Sequence, residues 1–247
     1  MRLAGSVIAV TGATGGIGEA TCAALHAADV RVVATGRDPA ALQRLVERYG
    51  ADAVAVDVRD ASHASAIVDA ALSRYARLDA VVLNAGIGYA GRFADMPQER
   101  IDDLVDVDVR APLLLARAAL PHLVASRGAL VVVSSVAGAV PVPNEAAYST
   151  AKHALEAFAD ALRTELRPDG VAVSVVRPGV VATGFFARRG AAYDRRFPRP
   201  ISPDRVAAAI VDSLASGRAR TTVPGWLAMP AALRRRVPRL YNRLARH

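Results

Sequence analysis

Six short runs of apolar, mostly β-branched residues recur along the chain, at residues 6–10, 30–34, 53–56, 80–83, 130–133 and 171–176. Runs this short, with no polar alternation, suit strands buried on both faces. Between them apolar positions fall at helical spacing over residues 16–28, 40–49, 62–75, 97–125, 146–166 and 203–216, the fourth readable as one helix or as two in succession. Strand and helix alternate throughout. With right-handed crossovers, that alternation gives a parallel sheet covered by helices on both faces, a doubly wound α/β fold in a single domain over residues 1–228. Residues 184–203 break the rhythm, with Phe185, Phe186, Tyr193 and Phe197 set among arginines and prolines. A loop of that length inside a compact domain is usually functional. In residues 229–247, Leu233, Val237, Leu240, Tyr241 and Leu244 form one apolar stripe among six arginines and no acid, which predicts a basic amphipathic tail kinked or started by Pro238.

Composition narrows the class. At 247 residues and 53% hydrophobic, the chain can bury one large core, and it has no uninterrupted apolar stretch of 18 or more residues to span a membrane. Val7–Val10 leads straight into a glycine-rich loop, so the N-terminus reads as mature protein rather than a signal segment. Cys22 is the only cysteine; it reads as a small core residue, and its solitude suits a reducing, cytoplasmic setting. The net charge of +8 is lopsided: from Arg188 onward 14 arginines face three acids, +11, which leaves −3 on residues 1–187. A basic end on a faintly acidic body argues against a nucleic-acid binder, whose fold would carry a basic face. The tail suits docking on its own body, a subunit contact, or peripheral contact with an anionic membrane. No metal is expected.

After the first run comes Thr11-Gly12-Ala13-Thr14-Gly15-Gly16-Ile17-Gly18, opening a helix. Glycines there permit a tight turn and a close backbone approach, and the helix N-terminus offers free N–H groups to a pyrophosphate. The adenosine ribose should meet the end of the second strand, where Gly36 and Arg37 stand and no carboxylate does. Asp38-Pro39 reads as a helix cap. A guanidinium at Arg37 pairs with a 2′-phosphate, which favours NADP(H) over NAD(H). Asp57, beside Val58 after the third run, either accepts from the adenine amine or caps the turn.

Cationic positions here take arginine almost without exception: 30 arginines stand against one lysine, Lys152. Ammonium and guanidinium are not interchangeable in a tight site, so Lys152 is a site candidate. Tyr148 lies four residues earlier, on the same helical face. Two readings stay open on this pair alone: a surface lysine beside a packing tyrosine, or a proton-transfer pair. In the second, a phenol of pKa about 10 is too weak an acid at neutral pH, and a nearby cation lowers it.

Taken in order, Thr11-Gly12-x-x-x-Gly16-Ile17-Gly18, Asn84-Ala85-Gly86, Ser134-Ser135, Tyr148-x-x-x-Lys152 and Pro178-Gly179-Val180-Val181-x-Thr183 resemble the short-chain dehydrogenase/reductase family in its compact single-domain branch. The resemblance covers nearly the whole chain. It implies a Rossmann-type sheet with nicotinamide at its C-terminal edge and hydride transfer between the cofactor and a carbonyl or secondary alcohol. It implies Tyr148 as acid, Lys152 also on the nicotinamide ribose, and Ser135 on the substrate oxygen, with Ser134 facing away. Asn84, Ala85 and Gly86 would line the cofactor site, Asn84 also bracing its strand. The Pro178-Gly179 backbone, the Val181 N–H and Thr183 would meet the carboxamide or pyrophosphate.

One position departs: Asp108 stands where the family has an asparagine that supports a water beside the lysine. Aspartate either keeps that role through its carbonyl or retunes the relay. His153 reads as structural. The family's lid falls on residues 184–203, so Phe185, Phe186 and Tyr193, with Phe197 and Trp226, imply an apolar substrate pocket. Arg188, Arg189, Arg195 and Arg196 are either solvated or grip an anionic carrier. The family also implies a homodimer or homotetramer through residues 109–125 and 146–166. The rival is a dinucleotide-binding regulatory protein with little chemistry. An epimerase of the extended branch fits neither the length nor the glycine spacing.

Overall fold

The computed structural model describes residues 1–194 and 196–236. Seven strands, β1 (Val7–Val10), β2 (Arg31–Gly36), β3 (Asp52–Ala55), β4 (Ala80–Leu83), β5 (Ala129–Val133), β6 (Ala172–Pro178) and β7 (Arg220–Val223), pair in the order β3-β2-β1-β4-β5-β6-β7. All six pairings are parallel. The helices are α1 (Gly16–Ala27), α2 (Pro39–Tyr49), α3 (His63–Tyr75), α4 (Gln98–Val105), α5 (Ala111–Ser126), α6 (Ala146–Glu165), α7 (Phe185–Arg188), α8 (Pro203–Ser216) and α9 (Ala228–Arg236). The chain runs outward from β1 to β3, then restarts at β4 and runs to β7. At the reversal between β1 and β4 the connections leave to opposite sides and open a crevice at the strands' C-terminal ends.

The unbroken apolar runs have a simple cause. Val7 and Ala9 pack into a core with α3, α5 and α6, while Ile8 and Val10 pack into a second core with α1, α2 and α8. Both faces of β1 are dry, so no polar alternation is needed. Cys22 lies in the second core, and burial pushes its thiol up to about 12, which keeps it protonated and unreactive.

Three features differ from expectation. The stretch 97–125 is two helices, joined by a π-helical turn, Asp106–Arg110, which adds a residue to the turn and holds Asp108 inward. A seventh strand, Arg-Thr-Thr-Val, closes the sheet edge; with only Val223 buried it offered no apolar run. The break at 184–203 contains the one-turn helix α7. Arg195 and the tail positions Val237, Pro238, Leu240, Tyr241 and Leu244 lie outside the described residues, so the membrane contact expected of the tail rests on its charge pattern alone. None of the described helices is long and apolar enough to cross a membrane.

Candidate active site

The loops after β1, β2, β4, β5 and β6 open onto one cleft of about 1570 Å³. Ordinary small-molecule pockets hold ~300–1,000 Å³, so this one has room for a dinucleotide and a second ligand. Its wall brings together Gly12, Thr14, Gly15, Gly16, Ile17 and Gly18 after β1; Arg37 after β2; Asp57 and Val58 after β3; and Asn84, Ala85 and Gly86 after β4. It also takes in Ser135, Tyr148 and Lys152, then Pro178, Gly179, Val181 and Thr183, and the lid residues Phe185, Phe186 and Tyr193.

At the phosphate end, no side chain caps α1, which leaves its first N–H groups to the cleft. Gly18 is obligatory: a methyl group there would stand 2.1 Å from the Gly12 carbonyl oxygen. Asn84 Nδ2 donates to the carbonyls of Thr11 (2.9 Å) and Gly12 (3.2 Å), pinning the glycine loop to the end of β4. Asn84 therefore braces the loop and also stands on the cleft wall. An uncapped helix N-terminus behind a glycine turn is the donor set a pyrophosphate requires, so the residues fit a dinucleotide.

At the adenosine end, Asp38 caps α2 by accepting from Ala41 N (3.1 Å), as its sequence context indicated. Arg37 stands largely exposed, with Nη1 3.7 Å from Asp57 Oδ2. Asp57 is occupied: Arg59 donates Nε to both its oxygens (3.2 Å each), Nη2 to Oδ2 (2.7 Å) and its backbone N to Oδ1 (3.0 Å). This Arg59 fork holds the Asp57 carboxyl down at about 2. Of the two roles open for Asp57, the turn cap is the one seen. Arg59, which also reaches Asp103 (2.9 Å) and lines the cleft, was missed by the sequence reading; its place two residues after Asp57 was the available signal.

The chemical centre lies on α6, where a four-residue spacing puts Tyr148 and Lys152 on one inward face, both buried. Ser135, after β5, accepts from Ala137 N (3.2 Å), and its hydroxyl pulls the Tyr148 phenol down. Lys152 Nζ sits 5.6 Å from the Tyr148 ring centroid and 2.8 Å from Oδ2 of the fully buried Asp108. The other Asp108 oxygen accepts from Ile87 N (2.7 Å). Asp108 does not reach the cleft wall; it backs Lys152 through its carboxylate.

Burial is the largest influence on all three groups. It pushes the Tyr148 phenol up, Asp108 pushes it further, and the Lys152 cation and the Ser135 hydrogen bond pull it down without prevailing. The Lys152 cation acts on the phenol in the expected direction, and burial together with Asp108 outweighs it. Burial opposes the Lys152 charge, but Asp108 and Tyr148 outweigh it and hold the ammonium above its ordinary value.

The lid closes on this centre. The Phe185 ring lies 5.7 Å from Tyr148, Phe186 follows edge-on at 5.6 Å, and Tyr193 at 5.3 Å. Arg189 is not solvated: it is buried, pairs with Glu145 at the start of α6, and stacks on Phe186 (4.5 Å) while lining the cleft. Arg188 and Arg196 are exposed. Phe197 and Trp226 do not line the cleft; they stack on each other at 5.1 Å on the surface. His153 bonds the Ser149 carbonyl (2.8 Å), a structural role as expected.

The family model for short chain dehydrogenases matches residues 6–194. This chain belongs to the short-chain dehydrogenase family. The family is one of nicotinamide-dependent oxidoreductases, and the expected fold and family both hold. Dehydrogenase/reductase SDR family member 7B of Xenopus tropicalis is 33% identical over 190 residues, 72% of this chain and 62% of that protein, so the chain spans about three-fifths of that relative's length. Among solved structures, 3-ketoacyl-(acyl-carrier-protein) reductase of Brucella melitensis, complexed with NADH, superposes with a TM-score of 0.84 at 28% identity, over 90% of this chain and 97% of that one. A short-chain dehydrogenase of Sphingobium yanoikuyae, in complex with NADPH, does so with a TM-score of 0.81 at 26% identity, over 92% and 93%.

Proposed function

We propose that this protein transfers a hydride between NADP(H), in preference to NAD(H), and the carbonyl or secondary alcohol of an apolar small molecule, with Tyr148 exchanging the proton. The observation that carries the proposal is the group of half-buried Ser135 and buried Tyr148 and Lys152 at the wall of a cleft large enough for a dinucleotide and a substrate, with the buried Asp108 behind Lys152. The dinucleotide, when bound, supplies or accepts the hydride. In reduction, Ser135 donates a hydrogen bond to the carbonyl oxygen and Tyr148 passes its phenolic proton to that oxygen as negative charge develops there. The Lys152 ammonium stabilises the phenolate left behind, and the product leaves as a neutral alcohol. Oxidation runs the same steps in reverse.

A phenol held up by burial stays protonated at neutral pH, which suits the reductive direction. The rate of reduction should then be flat below the Tyr148 value and fall as pH rises through it. Asp108 contributes to that elevation, so Asp108→Asn should move the falling limb to lower pH while leaving turnover within a few-fold. A hundredfold loss with an unmoved limb would show that the carboxylate is itself required for turnover.

The NADP(H) preference rests on Arg37, exposed at the ribose end while Asp57 is engaged by Arg59. One solved relative holds NADPH and another NADH, so the family accommodates both. Arg37→Ala should weaken NADPH binding about tenfold in a fluorescence titration and leave NADH unchanged, the cost of one charge-assisted phosphate contact. Equal losses for both cofactors would remove the 2′-phosphate assignment. The apolar wall of Val140, Val142 and Phe185 favours a hydrophobic ketone or aldehyde, and the ketoacyl reductase relative places β-ketoacyl thioesters among the substrates to try. Assembly as a homodimer or homotetramer through α5 and α6 belongs to the same reading and would cover the exposed Leu113.

A further inference from the structure

Outside the proton-transfer group lies a second buried charge cluster. Glu156, 6% exposed, continues the inward face of α6 one turn beyond Lys152. Its Oε1 accepts from Ser134 Oγ (3.0 Å) and from Arg177 Nε (2.7 Å), and Arg177 Nη2 closes a fork on Oε2. The Ser134 hydroxyl also lies 3.5 Å from the Lys152 carbonyl oxygen. Gly138 packs against the same point: a methyl group on it would stand 2.4 Å from Ser134 Oγ and 2.8 Å from Glu156 Oε1.

Each partner is the immediate chain neighbour of a piece of the site. Ser134 precedes Ser135, Arg177 precedes Pro178 and Gly179, and Glu156 is one helical turn from Lys152 and two from Tyr148. The Ser134 N–H bonds the Val176 carbonyl (2.8 Å), next to the last registered β5–β6 pair, Val133 with Val176. The cluster thus sits where β5 and β6 run out into the cleft, and it ties both strand ends to α6.

We infer that Glu156 is a positioning residue, which through Ser134 and Arg177 sets Ser135 and the Pro178–Gly179 backbone in register with Tyr148 and Lys152. The inference rests on the oxidoreductase reading above. Its physical basis is geometric. A buried carboxylate with a bidentate guanidinium fixes direction as well as distance, and a proton donor and a hydride acceptor must be aligned to a fraction of an ångström. A fold needing only burial at this point would do as well with apolar side chains, since a buried ion pair is weak support for stability.

That contrast gives the test. Single removal, as in Glu156→Leu, strands the Arg177 charge and destabilises the protein, which says nothing of positioning. The double variant Glu156→Leu/Arg177→Met removes both charges and should recover the thermal midpoint. The emission of bound NADPH, which reads how the nicotinamide is seated and needs no substrate, should nevertheless fall by half or more. Turnover should stay about tenfold low, with the KM for NADPH within threefold. Ser134→Ala, which cuts one link and leaves no charge unpaired, should lower emission and kcat about threefold and serves if the double variant does not fold. Wild-type emission and kcat in a folded double variant, or in Ser134→Ala, would overturn the inference and make the cluster purely structural. A wild-type protein that seats NADPH yet turns over nothing would instead sink the oxidoreductase reading, with the emission comparison still deciding the role of Glu156.

Discussion

Tyr148→Phe should lower turnover about a thousandfold and leave NADPH binding within a few-fold of wild type. The ring is buried among Met96, Leu104 and Ala137 and faces Phe185 at 5.7 Å, contacts that phenylalanine keeps. Only the hydroxyl is lost, and with it the proton source. General acid catalysis is worth ~10²–10⁴-fold, so a thousandfold loss, ~4 kcal/mol of barrier, is the central expectation. The residual rate should also lack the alkaline fall, because the group that titrates there is gone. A loss below tenfold, with the pH limb retained, would show that another residue or a water supplies the proton.

Lys152→Arg should lower kcat/KM about a hundredfold, although it keeps the charge. The ammonium is closely packed on the side away from the cleft: Asp108 Oδ2 lies 2.8 Å away, and a methyl group on Gly86 would stand 3.1 Å from it. A guanidinium is broader and planar, and forcing it into this volume displaces Asp108, Tyr148 or the Asn84–Gly86 loop. Steady-state kinetics on a variant shown to be folded would check this. Activity within threefold of wild type would mean that charge alone suffices, and that the single lysine among thirty arginines carries no geometric message.

The parts of this site that could be read from the sequence are those whose chemistry is local. A glycine loop needs its glycines wherever the fold puts it, and a tyrosine four residues from a lysine shares a helical face by geometry alone. Strands β1, β4 and β5 announced themselves because every residue in them is buried, and β2 and β6 nearly so. β3, expected to be buried on both faces, is half-exposed at the opposite sheet edge and was legible only as a short apolar run, while β7, with two threonines and an arginine, was not legible at all. What stayed hidden is long-range. Nothing in Val107-Asp108-Val109 signals a π-helical turn, and it is within that turn that the Asp108 carboxylate comes to stand beside Lys152. Likewise Arg189 on Glu145 and Arg177 on Glu156 are indistinguishable in sequence from the other arginines, because the partner comes from the fold, whereas Arg59, two residues from Asp57, left a local signal. Aromatic composition alone misled for Phe197 and Trp226, which satisfy each other on the surface instead of meeting a substrate.

The most direct test of the account is to titrate the full chain with NADPH and NADH by fluorescence and, in the same cuvette, follow NADPH oxidation with apolar ketones, aldehydes and β-ketoacyl thioesters. The account predicts tighter binding of NADPH than of NADH and turnover with at least one carbonyl. Failure to bind either cofactor would contradict it outright, and tight binding without oxidation by any carbonyl would contradict its chemistry and leave only a dinucleotide-binding protein.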